Sequence, residues 1–219
     1  MSSEDRPEIL LLSLSYRDFF DQTYAPLIDG LAKGAILKRV KTASAAIRAL
    51  NESNLSAIII TDEGLTKRSN QQVLFKVVEY VRNGGYAIAG LHFPSFTRMD
   101  AFKNFFAAFG LPWENGDYHR TDFEFHRNCA LPPTVITTIP GPYSMKALHI
   151  KNAELHEKIF VPVGGAQTQS HVFPADCVDE SQAAITGAHV GDGFLVYCGD
   201  VNGESGSDQV ILTLLGLLH

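Results

Sequence analysis

Residues 55–61 read Leu-Ser-Ala-Ile-Ile-Ile-Thr, and residues 86–92 read Tyr-Ala-Ile-Ala-Gly-Leu-His. Both are short apolar runs without the alternation of a half-wetted strand, so each predicts a strand covered on both faces. Between them Val73, Leu74, Val77, Val78 and Val81 recur at helical spacing. Ser69-x-x-Gln72 fits a capping box at the start of that helix, and Gly84 or Gly85 supplies its stop. A strand, a helix and a second strand in this order imply a right-handed crossover and a parallel sheet.

Upstream the pattern repeats. Residues 8–14 form a first apolar strand. Phe19, Phe20, Tyr24, Leu27, Ile28 and Leu31 follow at helical spacing, with Pro26 predicting a kink or two short helices. A short strand at 36–40 and a helix at 44–50, capped by Thr42 or Ser44, complete the first half. Downstream, Asp100–Phe109 reads as a helix with its phenylalanines inward. The stretch from Leu111 to Pro142 holds five prolines and the polar run Asp117-Tyr118-His119-Arg120. It is expected to carry a strand near 121–126 and otherwise to lie over the sheet as a flap. Short strands are expected at 147–150, 158–163, 169–173, 183–189 and 194–198, some of them antiparallel. A final helix is expected at Ser207–Leu218, capped by Ser207. No linker or repeat divides the chain, which reads as one domain over residues 1–219.

The bulk numbers fit this picture. With 219 residues and 45% hydrophobic composition, the chain can bury a core without disulfides or metal. A net charge of -6 argues against nucleic acid or an anionic membrane as a general partner. No run approaches the length of a transmembrane span. The polar, acidic start Met1–Glu8 has no leader character, and the scattered Cys129, Cys177 and Cys198 read as reduced thiols. The expectation is therefore a cytoplasmic protein, with a homodimer as the default assembly.

In open parallel sheets, ligands bind beyond the C-terminal ends of the strands. Those ends here are Ser15 and Tyr16, then Asp62 and Glu63, then His92, then Asp200 and Asn202. His92 closes a strand that turns sharply through Gly-Leu-His-Phe-Pro, where a side chain is pushed into the crevice. Histidine there is a competent acid or base. His149 and His156 flank a polar turn and read as solvated. A metal could draw on His92, His119, His171 and Asp200, but no His-x-x-x-His pair is present. No metal or other cofactor is expected.

The run Asn83-Gly84-Gly85-Tyr86-Ala87-Ile88-Ala89-Gly90-Leu91-His92 resembles the Gly-Gly-…-Gly-(apolar)-His stretch of ThuA-like proteins, within the class I glutamine amidotransferase-like superfamily. Gly191-Asp192-Gly193-Phe194-Leu195-Val196-Tyr197-Cys198-Gly199 resembles that family's late glycine-flanked strand. The resemblance implies a flavodoxin-like three-layer α/β/α sandwich with a mostly parallel sheet and an elaborated middle. It also implies a small polar substrate such as a carbohydrate derivative. Amidotransferases carry cysteine at the elbow and a late His-x-Glu pair, and this chain has neither. Without a thiolate no thioester can form, so glutaminase chemistry is not expected.

Two readings of function remain. In the first, a hydrolase, lyase or isomerase uses His92 as acid or base, oriented by Asp62, Glu63 or Asp200. Its ligand would be held by Ser15, Tyr16 and Asn202 under a flap bearing Tyr118 and His119. In the second, the chain is a pseudoenzyme that kept the fold and acts as an interaction or assembly module.

Overall fold

The computed structural model describes residues 6–52, 54–131, 138–170 and 172–218. The first strand, β1 (Glu8–Leu12), is buried after its first residue, as its unbroken apolar run requires. It lies between β2 (Ile36–Val40) and β3 (Ala57–Ile60), and β4 (Tyr86–Ala89) adds to β3. All of these pairings are parallel. Pro26 does divide the first helical segment, into α1 (Phe20–Thr23) and α2 (Ala25–Gly34). The crossovers to β3 and β4 run through α3 (Ala43–Glu52) and α4 (Gln71–Arg82).

Successive residues of β1 and β3 point to opposite sides, as strand geometry dictates. Leu10, Leu12, Ile58 and Ile60 face one core with α3, α4 and α6 (Met99–Ala108). Ile9, Leu11, Ala57 and Ile59 face a second core with α1, α2 and the last helix, α7 (Ser205–Leu214). The result is a flavodoxin-like α/β/α sandwich. Phe93, on the short α5 (His92–Phe96), anchors the first core by packing its ring on Phe102, Phe105, Phe106 and Tyr197.

The sheet is mixed rather than mostly parallel. Its order is β2-β1-β3-β4-β9-β8-β7-β5-β6, and every pairing beyond β9 (Gly193–Cys198) is antiparallel. The reason is the length of a connection. β8 (Ile185–Val190) reaches β9 through Gly191-Asp192 alone, a hairpin turn too short for any parallel crossover. Gly191 takes φ 62°, and a Cβ on Gly193 would come within 2.0 Å of the Val81 carbonyl oxygen, so both glycines are needed.

In the middle of the chain the strand expected near 121–126 is present, but it begins at Glu114, inside the stretch expected to be a flap. β5 runs from Glu114 to Phe125 and pairs with both β6 (Tyr143–Lys151) and β7 (Lys158–Pro162). Asp117-Tyr118-His119-Arg120 therefore belongs to the sheet. The outermost strand, β6, curls back toward β8 and β9. Leu148 N donates to Gly199 O at 2.9 Å, and Ile150 N to Ala183 O at 2.8 Å.

Several local expectations change as well. No strand forms at 169–173 among the described residues. Asn70 precedes α4 without a side-chain cap, because Arg68–Asn70 forms a separate 3-10 turn and the Ser69–Gln72 box is not made. α7 begins two residues before Ser207, whose hydroxyl instead meets the Tyr143 hydroxyl at 3.1 Å. His149 is fully buried rather than solvated. No described helix is long and apolar enough to cross a membrane.

Candidate functional site

At the end of β4 the chain makes the sharp turn that the sequence suggests, but the strained residue is Leu91. Its backbone sits at φ 60°, ψ -115°, a region that costs an L-residue about 1–3 kcal/mol. In hydrolases of related architecture this strand-to-helix elbow holds the nucleophile, and the next backbone N–H helps form the oxyanion hole. Here the elbow side chain is an aliphatic one, buried in the second core. The next N–H, that of His92, donates to Thr61 O at 3.0 Å. Beneath Leu91 lies a cavity of about 10 Å³, room for about one water, walled by Tyr24, Cys198, Asp200 and Asp208 among others. Burial pushes the Cys198 thiol up to about 12, which keeps it protonated and unreactive.

His92 is therefore one residue past the elbow, on the first position of α5. It is 3% exposed and enclosed by the rings of Phe19, Phe20, Tyr24 and Phe96 at centroid distances of 5.0–5.2 Å. Its Nδ1 is buried without a hydrogen-bond partner. Burial, reinforced by the Arg17 charge, pushes its pKa down to about 4, so the ring is neutral at physiological pH. The Arg17 guanidinium closes the cage from outside, 3.6 Å from the centre of the Phe96 ring.

The carboxylates expected to orient His92 bond elsewhere. Asp62 accepts from Ser15 N at 3.0 Å and Gly64 N at 2.9 Å, pinning the ends of the first and third strands together. Burial raises its pKa against the pull of those donors. Burial acts upward on Glu63 too, but the bidentate Arg17 guanidinium, at 2.9 Å to each oxygen, holds it below the usual range. Asp200 accepts from the backbone N–H groups of Asn202, Gly203 and Glu204 at 2.8, 3.2 and 2.7 Å. Tyr16 donates to Asp21, and Lys41 lies over its ring. The Asn202 residue is exposed. Asp62, Glu63 and Asp200 thus serve as scaffolding for their own loops, and no hydrogen bond is seen between His92 and any of the three.

One neighbour of this region, an acid that reads from sequence as complementing the dipole of the last helix, has a shifted pKa. Half-buried Asp208 has its pKa raised to about 7, by burial and then by the charge of Asp200. A raised carboxyl pKa stabilises the fold below the free value of 3.8, and that stability is lost as pH climbs through about 7. Asp208→Asn should then leave the melting temperature at pH 4 nearly unchanged. At pH 8 it should add about 2 kcal/mol, about half the nominal value of the shift, because solvent screens the open side of the carboxylate. Equal gains at both pH values would show that the substitution acts through packing rather than charge.

Tyr118 and His119 lie apart from the elbow, on β5. They line an open groove of about 1130 Å³ between β5, β6 and the residues around Thr168–Ser170 and Val172–Asp176. Arg120, Lys146, Gln169 and Phe173 share its walls. Of these four only Arg120 stood out from sequence, in the polar run 117–120, because a groove built by strand curling has no motif. Arg120 pairs with Glu204, so one wall of the groove is continuous with the Asp200 loop. The Lys146 ammonium sits 4.8 Å from the Tyr118 ring centre. Of the histidines considered for a metal, His171 lies outside the described residues, and His92 and His119 sit on separate elements. No group of three or more His, Cys, Asp or Glu side chains gathers for a metal among the described residues.

No family model and no curated protein matches the chain. Solved structures do. A protein designated ThuA-like from Bacteroides uniformis aligns over 97% of this chain and 92% of its own, at 10% identity and a TM-score of 0.61. A second such protein, from Parabacteroides merdae, aligns over 96% and 88% at 8% identity and a TM-score of 0.58. A GMP synthase-type protein from Thermoplasma acidophilum aligns over 97% and 94% at 10% identity and a TM-score of 0.54. At such identities the likeness is one of architecture, and the architecture is that of the ThuA-like α/β fold.

Proposed function

We propose that this chain is a member of the glutamine amidotransferase-like superfamily whose elbow is catalytically silent, and that it binds a small polar ligand in the groove over β5 and β6. The observation that carries the reading is Leu91. The strained backbone that exposes a nucleophile in active relatives of this architecture is kept, while its side chain is aliphatic and buried. The donor that would serve an oxyanion is spent on Thr61 O, and the nearby acids hold loops. Strain at a site with no chemistry to perform fits a pseudoenzyme better than a hydrolase, lyase or isomerase working through His92.

The groove supplies what the elbow lacks. Tyr118 and Phe173 offer exposed ring faces, Gln169, Thr168 and Ser170 offer neutral hydrogen-bonding groups, and Lys146 and Arg120 offer cations. Such a lining suits a polyhydroxylated ring, of the carbohydrate-derivative class, better than a purely apolar ligand. Exposed Cys177 and half-buried Cys129 are free thiols, which supports a reducing, cytoplasmic setting.

A thermal-shift screen of neutral sugars, sugar acids and sugar phosphates tests the proposal. A hit should stabilise the wild type and lose at least about tenfold in affinity in Tyr118→Ala and Lys146→Ala, while binding Phe75→Ala, on the distant α4, as before. A hit whose affinity is untouched by both groove substitutions would overturn the placement of the site. Turnover of any hit, abolished by His92→Ala, would overturn the silent-elbow reading.

A further inference from the structure

The polar groups around the groove over β5 and β6 share one hydrogen-bonding sense. Arg120 Nη1 donates to Ser144 Oγ at 3.2 Å, and Ser144 Oγ donates in turn to Gln169 Oε1 at 2.9 Å. A guanidinium has no acceptor, so its end of the relay fixes the direction of the whole. The Gln169 NH₂ group is the end left over for a ligand. Ser170 Oγ accepts from Val172 N and Phe173 N, both at 3.1 Å, which uses its two lone pairs and leaves its O–H. Thr168 Oγ1 spends a lone pair on Asp176 N at 3.0 Å. Three consecutive side chains of the groove wall therefore spend acceptor capacity inside the protein and keep their donors.

The charges run the same way. The register of β5 on β6 sets Arg120 directly opposite Lys146, and like charges so placed repel. Glu204 pairs with Arg120. Lys146 makes no ion pair among the described residues, and its ammonium rests against the Tyr118 ring. The single acid among the described lining residues is Asp176, an exposed side chain whose Oδ1 accepts from Cys177 N at 2.8 Å. An uncharged polyol brings a donor with every acceptor and leaves this excess of donors partly unmatched. An oxyanion brings acceptors alone.

We propose, resting on the groove as the ligand site, that the sugar it takes carries an oxyanion, a carboxylate or a phosphate, held by Lys146, the Gln169 amide and the Ser170 hydroxyl. The Lys146 ammonium, 4.8 Å from the Tyr118 ring centre, puts the positive charge beside the aromatic surface that receives the sugar. A hydrogen bond to a charged group is worth roughly 10- to 100-fold in affinity. The groove is open to solvent, which screens the charge, so the lower end of that range applies.

Titration calorimetry of the whole chain at neutral pH with glucose, glucuronate and glucose 6-phosphate tests this. Both anions should bind at least about tenfold more tightly than glucose, by a margin that shrinks as salt is raised. The tighter of the two anions identifies the group as carboxylate or phosphate. Lys146→Met keeps the apolar stem, and Gln169→Glu, on an exposed side chain, turns a donor into a negative charge. Each should bring the ratio of anion to glucose affinity to within about threefold of unity. Lys33→Met, on α2, removes the same charge elsewhere and should keep the wild-type ratio. Equal affinity for all three sugars in the wild type overturns the oxyanion and leaves the groove standing. A preference that survives both groove substitutions, or that falls as far in Lys33→Met, overturns its placement. Affinities indifferent to Tyr118→Ala, or no binding of any of the three, remove the groove itself.

Discussion

Replacing Asp200 with alanine should cost about 3 kcal/mol of folding stability, read as a lower urea midpoint at an unchanged m-value. The carboxylate is 4% exposed and accepts from three successive backbone N–H groups, those of Asn202, Gly203 and Glu204. Alanine leaves those part-buried donors without their acceptor, at roughly 1 kcal/mol each. Asp200→Asn keeps one acceptor oxygen and should lose about half as much. The damage should reach the groove. Glu204 both receives its loop geometry from Asp200 and pairs with Arg120 in the groove wall, so a loosened loop frees that guanidinium. Ligand affinity in the groove should fall in Asp200→Ala even though Asp200 does not line it. A loss below about 1 kcal/mol would instead assign the loop's rigidity to the Val201–Lys146 backbone bond.

The same residue illustrates what the chain discloses before it folds and what it does not. Asp200 could be placed at a strand end because Phe194–Cys198 is a continuous apolar run, and β1, β3 and β4 are legible for the same reason. Strands buried on both faces need apolar residues at every position, and that demand leaves a mark. β5 leaves a weaker one. Polar residues fill most of Glu114–Phe125, because its first part carries the groove and only Thr121 and Phe123 are buried. Only its second half therefore reads as a strand, near 121–126, and its first half reads as a flap. His149 was hidden by the opposite effect, since nothing in Leu148-His149-Ile150 tells whether the middle side chain meets water or a second histidine.

The elbow was legible to within one residue. Gly90-Leu91-His92 marks a turn, but the turn's strain is a property of backbone angles, and leucine is not a residue that advertises a positive φ. Position alone favoured the histidine because its chemistry is conspicuous. The fold placed the leucine at the strained point and the histidine behind an aromatic cage.

His92→Phe should make the protein more stable in acid, and the size of the gain depends on pH in a way that tests the cage directly. In the fold the ring is neutral, with a pKa near 4 against a free value of 6.5. A depressed histidine pKa gives stability that is complete above about pH 6.5 and is lost as pH falls through 4, because the unfolded chain takes up the proton first. The full loss is about 3 kcal/mol, to which His149, depressed to about 3, adds a further decline that this substitution leaves in place. Phenylalanine fits among Phe19, Phe20, Tyr24 and Phe96 and removes the unpaired Nδ1. A gain of about 1 kcal/mol is expected at pH 8, growing by a further ~3 kcal/mol toward pH 4. Chemical denaturation across that range measures it. Groove-ligand affinity should not change, since His92 lies in the cage and does not line the groove. A variant whose gain is no larger at pH 4 than at pH 8 would mean that the imidazole is protonated in the fold. His92 would then have to be returned to the acid–base candidates.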